Sequence, residues 1–327
     1  MKAIVQDGYG EADVLRLREV DRPSVGDDDV LVRVGAAGVD RGVWHIMTGL
    51  PYPVRAASGL RRPRNPVRGT DVAGQVAAVG RNVTRFRPGD AVYGSCNGSF
   101  AEYALARQDR LAPTPAGLSD AQAAAIPVSA VTALRALRDA GRIRPGRSVL
   151  VIGAGGGVGS FAVQLARALG AASVTGVCST AKTELVRSLG ADDVVDHTRT
   201  DVTDGTRTWD LVIDTGGNRP LARLRRALTP KGTLVIVGGE GGGRWFQGLG
   251  RQLAAPMVSL VTGQRLCSLL ATVGTADLEH LTELVEAGRL TPAVDRTYPL
   301  ERAADAVRHL QEGRALGKLV VTVRATG

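Results

Sequence analysis

The sequence predicts an α/β protein in two parts, an irregular β-barrel and a doubly wound parallel sheet, and three observations predict it. First, a short apolar run, Val149 to Ile152, follows a Pro145-Gly146 turn and is broken by glycines; apolar residues at helical spacing, Val158, Phe161, Ala162, Leu165, Ala166 and Leu169, then continue to Gly170. Second, apolar strands (Ser173 to Cys178, Leu211 to Asp214, Thr233 to Val237) alternate with helical patterns (Thr183 to Leu189, Leu221 to Leu228), as right-handed βαβ units require. Third, residues 1 to about 120 read as short strands cut by Pro, Gly and Asp clusters, which suits a barrel.

Within the first of these stretches, Gly153, Gly156 and Gly159 sit three residues apart between strand and helix, a variant of the dinucleotide fingerprint. Each serves a separate physical need, in turn a tight bend, a close approach of backbone to pyrophosphate, and close packing of helix on strand. The helix then starts at Gly157 and Val158, whose N–H groups and positive dipole end face the phosphates.

Composition narrows the class. A chain of 327 residues is long enough for two cores, and 44% apolar residues with mean hydropathy +0.01 describe a globular protein with no run of membrane-spanning length. No early segment has the pattern of a cleaved signal, so the cytoplasm is the expected location. The charge of +9 is carried almost wholly by scattered arginines, since only Lys2, Lys182, Lys231 and Lys318 are lysines; no designed basic surface for nucleic acid results. Cys96, Cys178 and Cys267 are too far apart for a disulfide framework or a zinc ribbon.

In chain order, Ala3 to Gln6, Val30 to Val34, Val72 to Val79 and Ala91 to Tyr93 are barrel strands, and Gly74 marks a bulge or a close backbone approach. Residues 51–68 form a basic loop with two open readings: a solvated insertion, or a lip whose charge attracts anionic or phenolate substrates. Gly238 to Gly243 reads as a mobile or cofactor-facing loop. Leu278 to Gly288 and Leu300 to Gly313 read as amphipathic helices joined by an extended Thr291 to Tyr298, and Lys318 to Val323 as a final strand returning to the barrel.

No carboxylate stands between Gly170 and Lys182, where a site for NAD places an acid against the ribose hydroxyls. The Ser179 hydroxyl and Lys182 ammonium can instead bind a 2′-phosphate, which predicts NADPH over NADH; the plainer reading leaves Lys182 as decoration on an exposed helix start.

Tyr9-Gly10, Ala37-Gly38-Val39, Gly69-Thr70-Asp71-Val72-Ala73-Gly74, Arg87-Pro88-Gly89-Asp90-Ala91-Val92-Tyr93-Gly94, Ala124-Ala125-Ile126-Pro127 and Gly317-Lys318-Leu319-Val320-Val321 together resemble the medium-chain dehydrogenases/reductases, and more narrowly their zinc-free quinone oxidoreductase branch. The resemblance implies a GroES-like catalytic domain over residues 1–122, completed by 262–327, and a Rossmann domain over 123–261. It implies that His197 helps frame the 2′-phosphate, that Thr132 approaches the cofactor (otherwise a polar position on a buried helix), and that Gly238 and Gly239 line the nicotinamide pocket. It also implies a homodimer, with residues 240–265, including Trp245, Phe246 and Leu249, as interface material.

In zinc-dependent relatives the metal ligands fall where this chain has Asp40, Thr70 and Asp71, and a lobe of four cysteines is missing here, so no tetrahedral zinc site can be assembled. What remains is direct hydride transfer to an electron-poor carbon of a quinone or α,β-unsaturated carbonyl, with a small apolar or aromatic substrate expected and no macromolecular partner beyond a second copy. The catalytic candidates are Asp40, where the family has Asn; His45, as hydrogen-bond donor and acid to the developing oxyanion; and Trp44, as an apolar wall against a flat substrate. His45 can also simply bond within its own helical turn. Two further readings stay open: a tailoring reductase of a natural-product intermediate, and an NADP-binding relative without turnover.

Overall fold

The computed structural model describes residues 1–217, 219–239, 243–246 and 248–323. Contacts divide the chain into two compact units, Met1–Val131 with Thr272–Gly288 and Pro292–Gly327, and Thr132–Ala271 with Arg289–Thr291. Among the described residues no helix is long and apolar enough to cross a membrane.

The first unit is built on a seven-stranded sheet in the order Val294–Pro299, Lys318–Thr322, Asp29–Val39, Asp71–Val79, Ala91–Ser95 and Leu111–Pro113, with Tyr103–Arg107 also pairing with Asp29–Val39. Its ladders are antiparallel except for Val294–Pro299 on Lys318–Thr322, so the stretch expected to be a plain extended connection is an edge strand of this sheet. Alternation puts Val30, Val32 and Val34 in a core with Val72, Phe100 and Val321. The expected role of Gly74 holds: a Cβ there would lie 2.1 Å from the Arg33 carbonyl oxygen, beside the register shift between Val34 and Ala36. A separate hairpin pairs Lys2–Val5 with Arg16–Glu19.

Two helices follow from local capping. Arg41–Thr48 starts at Asp40, whose carboxylate accepts the Val43 N–H, and ends at Gly49 in the left-handed region (φ 63°). Asp120–Ala124 starts with a capping box formed by Ser119 and Gln122. That helix packs on the barrel strands, with the Ala124 carbonyl oxygen 2.5 Å from where a Cβ on Gly38 would stand. The first unit therefore continues to Val131, past the expected limit at residue 122.

The second unit, among the described residues, is a six-stranded, wholly parallel sheet in the order Asp193–Asp196, Ser173–Cys178, Ser148–Ile152, Trp209–Asp214, Leu228–Ile236 and Arg265–Ser268. Arg265–Ser268 extends this sheet, which is why the unit runs to Ala271 rather than 261. The chain winds outward in both directions from Ser148–Ile152, so the strand order reverses between it and Trp209–Asp214; ligands of open α/β sheets bind beyond the carboxyl ends at that point. Helix Gly157–Ala168 buries Phe161, Ala162, Leu165 and Ala166 there, the residues whose spacing predicted it. Residues 240–242, and the side chains of Phe246 and Leu249 named above for an interface, lie outside the described residues.

The basic loop is neither wholly solvated nor irregular. It contains the short helix Val54–Ser58; Arg55 donates from Nε to the Gly49 carbonyl at 3.0 Å and stacks between Tyr9 and Tyr52, 4.5 and 4.8 Å from their ring centres. Arg61, Arg62 and Arg64 are exposed, whereas Arg68 is buried.

Candidate active site

In the second unit the glycine turn lies at the order reversal. Gly153 has φ 83°, a conformation that costs a side-chain-bearing residue about 1–2 kcal/mol, and a Cβ there would come within 2.4 Å of the Thr215 hydroxyl on the neighbouring strand's continuation. Gly156 caps the helix, and a Cβ on it would meet only the Gly153 carbonyl at 3.4 Å, so its outer side is open to a phosphate. A Cβ on Gly159 would stand 2.1 Å from that same oxygen, which makes this glycine the one that lets helix and turn touch. The tight bend and the close helix packing read from the sequence thus fall on Gly153 and Gly159, with Gly157 and Val158 as the first residues of the helix.

Gly155 has a part that the spacing of the glycines did not reveal. The space its Cβ would take is filled by the Lys182 stem, 2.8 Å away at both Cβ and Cδ. Lys182 is therefore half-buried against the glycine turn rather than spread into solvent. Ser179 precedes the single turn Thr180–Lys182 at the end of strand Ser173–Cys178 without a side-chain capping bond, and the His197 N–H donates to the Cys178 carbonyl at 3.0 Å, bringing His197, itself exposed, beside Ser179.

Asp196 was also missed. It is the last residue of the edge strand, and its carboxylate accepts from the Thr180 hydroxyl at 2.5 Å and from the Thr198 N–H and hydroxyl at 2.9 and 2.7 Å. These bonds, the one from Thr180 first, hold its carboxyl down at about 2. It therefore stays ionised at neutral pH. The available signal was Asp196-x-Thr198, repeated as Asp201-x-Thr203 and Asp204-x-Thr206, each an Asx turn closed by the threonine.

Gly238 and Gly239 follow strand Leu228–Ile236. The Gly238 N–H donates to the Asp214 carbonyl at 3.2 Å, and a Cβ on it would meet the Thr215 carbonyl oxygen at 2.4 Å. The Asp214 carboxylate, 1% exposed, takes Arg251 at 2.5 Å and the Gly217 N–H at 3.2 Å, so the loop ends at the order reversal are pinned by a buried ion pair. Thr132 is half-buried on helix Pro127–Arg135.

In the first unit, two polar pairs lie side by side in the sequence, Asp40 with Thr70 and Asp71 with Lys318. Both Asp40 oxygens are engaged, Oδ1 by the Val43 N–H at 3.0 Å and Oδ2 by the Thr70 hydroxyl at 3.1 Å. Asp71 accepts the Val128 N–H at 2.9 Å and pairs with the Lys318 ammonium at 3.2 Å, the two side chains being 0% and 1% exposed. Burial pushes the Asp71 carboxyl up to about 6, with Lys318 opposing the rise and Asp40 adding to it.

These residues do not fit zinc. Threonine is not a zinc ligand, and both carboxylates are committed to internal donors with an ammonium beside one of them. Among the described residues no group of three His, Cys, Asp or Glu side chains could hold a metal ion.

On helix Arg41–Thr48, the His45 ring Nδ1 lies 2.8 Å from the Leu50 carbonyl. A carbonyl can only accept, so Nδ1 carries a proton, and in the neutral ring Nε2 carries a lone pair. Trp44 packs against the unit's core, edge-on to His45 with ring centres 4.9 Å apart and with the Arg41 guanidinium 5.8 Å from its ring centre. It supports His45 from one side.

The comparisons with known proteins agree with this architecture. Residues 26–116 match the alcohol dehydrogenase GroES-like domain, and residues 189–321 match the family described as zinc-binding dehydrogenase. A chloroplastic quinone oxidoreductase, QR1, of Triphysaria versicolor is 31% identical over 98% of both chains. A chloroplastic NADPH-dependent alkenal/one oxidoreductase of Arabidopsis thaliana is 33% identical over 98% of this chain and 79% of its own. The quinone oxidoreductase of Coxiella burnetii superposes with a TM-score of 0.86 over 99% of both chains at 28% identity. A GroES-like domain joined to a parallel Rossmann sheet, with two quinone oxidoreductases matched over 98% and 99% of their own length, makes this chain a member of the medium-chain dehydrogenase/reductase superfamily, in its quinone oxidoreductase-like branch.

Proposed function

We propose that the protein is a zinc-independent, NADPH-dependent reductase of quinones or α,β-unsaturated carbonyls. The observation that carries the cofactor reading is the Lys182 stem lying in the space a Cβ on Gly155 would fill, which holds a lysine against the glycine turn, just past the strand end where an acid for NAD would stand. The names borne by the quinone oxidoreductase and alkenal/one oxidoreductase relatives support the substrate class.

In this reading Gly153, Gly156 and Gly159 accommodate the pyrophosphate against the N–H groups of Gly157 and Val158. Ser179, Lys182 and His197 hold the 2′-phosphate, and Thr132, Gly238 and Gly239 border the nicotinamide. Bound NADPH supplies a hydride to the electron-poor carbon, and one proton from a side chain or water completes the two-electron reduction.

Asp40 acts as a positioning residue: it caps the helix that carries His45 and fixes that helix to Thr70. Because Nδ1 is committed to Leu50, His45 can donate from Nε2 only as the imidazolium. A His45→Gln enzyme is expected to turn over about 10²-fold more slowly. Equal rates would assign the proton to water.

A homodimer is part of the same proposal. Helix Leu249–Leu260 and its continuation expose Leu253, Met257, Leu260 and Val261, and Leu270, beyond edge strand Arg265–Ser268, is 91% exposed. Light scattering should give twice the chain mass, and Leu260→Glu should give the monomer.

The test of the activity is NADPH consumption with a panel of quinones and enones, with and without a chelator. Turnover that survives chelation is expected. Cofactor binding without consumption of any acceptor would leave a non-catalytic NADP-binding protein.

A further inference from the structure

Arg68 has no account in the chemistry above. It is 4% exposed, and neither an ion pair nor a side-chain hydrogen bond reaches its guanidinium from the described residues, with Nε fully buried. Burial without a counter-charge pulls its pKa down to about 10; the group acting against that pull is the Tyr9 phenol, whose hydroxyl is already engaged by Ser58 and the Gly59 carbonyl. The Nε has thus lost water without gaining a partner, an unfavourable state that an acceptor on a ligand would relieve.

Its surroundings point to a ligand. The isolated bridge Val5↔Val67 sets Ile4 opposite Arg68 and Gln6 opposite Pro66, with Gln6 and Arg68 on one face. Gln6 donates from Nε2 to the Met47 and Gly8 carbonyls, so both amide protons are spent and Arg68 alone offers donors on this face. Both residues hang on the frame of His45, since Gln6 holds the helix carrying it and Thr70, two residues beyond Arg68, holds Asp40 at its start. From Arg41 to Thr70 there are six arginines and no Asp or Glu, and Arg61, Arg62 and Arg64 stand exposed with no partner among the described residues.

We infer that the substrate carries an anionic group, a carboxylate or a phosphate, which Arg68 receives through its planar donor fork while Arg61, Arg62 and Arg64 draw it in. This rests on the reductase reading for the acceptor's other end.

The test pairs a neutral enone, cinnamaldehyde, with 4-carboxycinnamaldehyde. In the wild type kcat/KM is expected to be at least about tenfold higher for the carboxylate, through KM, and to fall toward the neutral value in high salt. In Arg68→Met the ratio should collapse toward one, with Arg68→Lys between. The triple variant Arg61→Gln/Arg62→Gln/Arg64→Gln should lose the salt dependence while keeping part of the preference.

A second readout is independent of turnover. Inorganic phosphate or 4-carboxycinnamate should raise the melting temperature of the wild type and not that of Arg68→Met, whose own ligand-free melting temperature should equal or exceed the wild type's. An unchanged acceptor ratio in Arg68→Met and Arg68→Lys would overturn the inference, as would stabilisation by phosphate without any acceptor preference, which would mark a free-anion site. If no acceptor is reduced at all, the reductase reading fails, and the melting arm alone still decides whether Arg68 binds an anion.

Discussion

Lys318→Met is expected to lower the unfolding free energy by about 3–5 kcal/mol, the usual consequence of removing one member of a buried ion pair. Lys318 enters the barrel sheet at the start of its C-terminal strand, 1% exposed, and its ammonium meets Asp71 at the start of strand Asp71–Val79, two places along the sheet. Gly38 makes room for that carboxylate, since a Cβ there would fall 2.7 Å from Asp71 Oδ2. Without Lys318 the carboxylate keeps the Val128 N–H and loses its counter-charge. Chemical denaturation should show the loss, and the double variant Lys318→Met/Asp71→Asn should recover part of it because no buried charge then stands alone.

The same pair has a pH signature. The folded value of about 6 for Asp71 lies above the ordinary aspartate value near 3.9, so the native state holds this proton more tightly than the unfolded chain. The stabilisation is full below about pH 4 and lost as the pH rises through 6, a change of about 3 kcal/mol. Carboxylates held low, such as Asp196, act in the opposite sense at lower pH. Subtracting the curve of the double variant isolates the Asp71 contribution, and a flat difference from pH 4 to 7 would contradict it.

Lys182→Ala is expected to raise KM for NADPH about 10- to 100-fold, the range of a charge-assisted hydrogen bond worth about 1.5–3 kcal/mol, and to leave KM for NADH nearly unchanged. The packing on Gly155 sharpens this expectation. An ammonium whose stem is already held loses little rotamer freedom when it meets the phosphate, so more of the contact appears as affinity. Parallel losses for both cofactors would place Lys182 in the architecture of the turn rather than at the 2′-phosphate.

The second unit was legible because its signals are local. Strand Ser148–Ile152 is a buried apolar run, helix Gly157–Ala168 shows its period, and Gly153 and Gly159 fall where backbone conformation and contact leave no room for a side chain. Two strands gave no such signal. Arg16–Glu19 is exposed along its whole length and is held by its backbone ladder to Lys2–Val5, and Arg265–Ser268 is a short edge strand with one buried residue. The rest of the site depends on residues far apart in the chain. Asp71 and Lys318 are 247 residues apart, Asp196 reaches Thr180 across a strand pair, and Gly155 reads as filler until Lys182 is seen lying on it. Asp40 was legible as a catalytic candidate, yet its nearest use is older chemistry, the cap of a helix that begins at the next residue.

Calorimetric titration of the purified protein with NADPH and with NADH tests the central claim most directly. One NADPH per chain, bound at least about tenfold more tightly than NADH, is the predicted result. Failure to bind either nucleotide, or tighter binding of NADH, would contradict it.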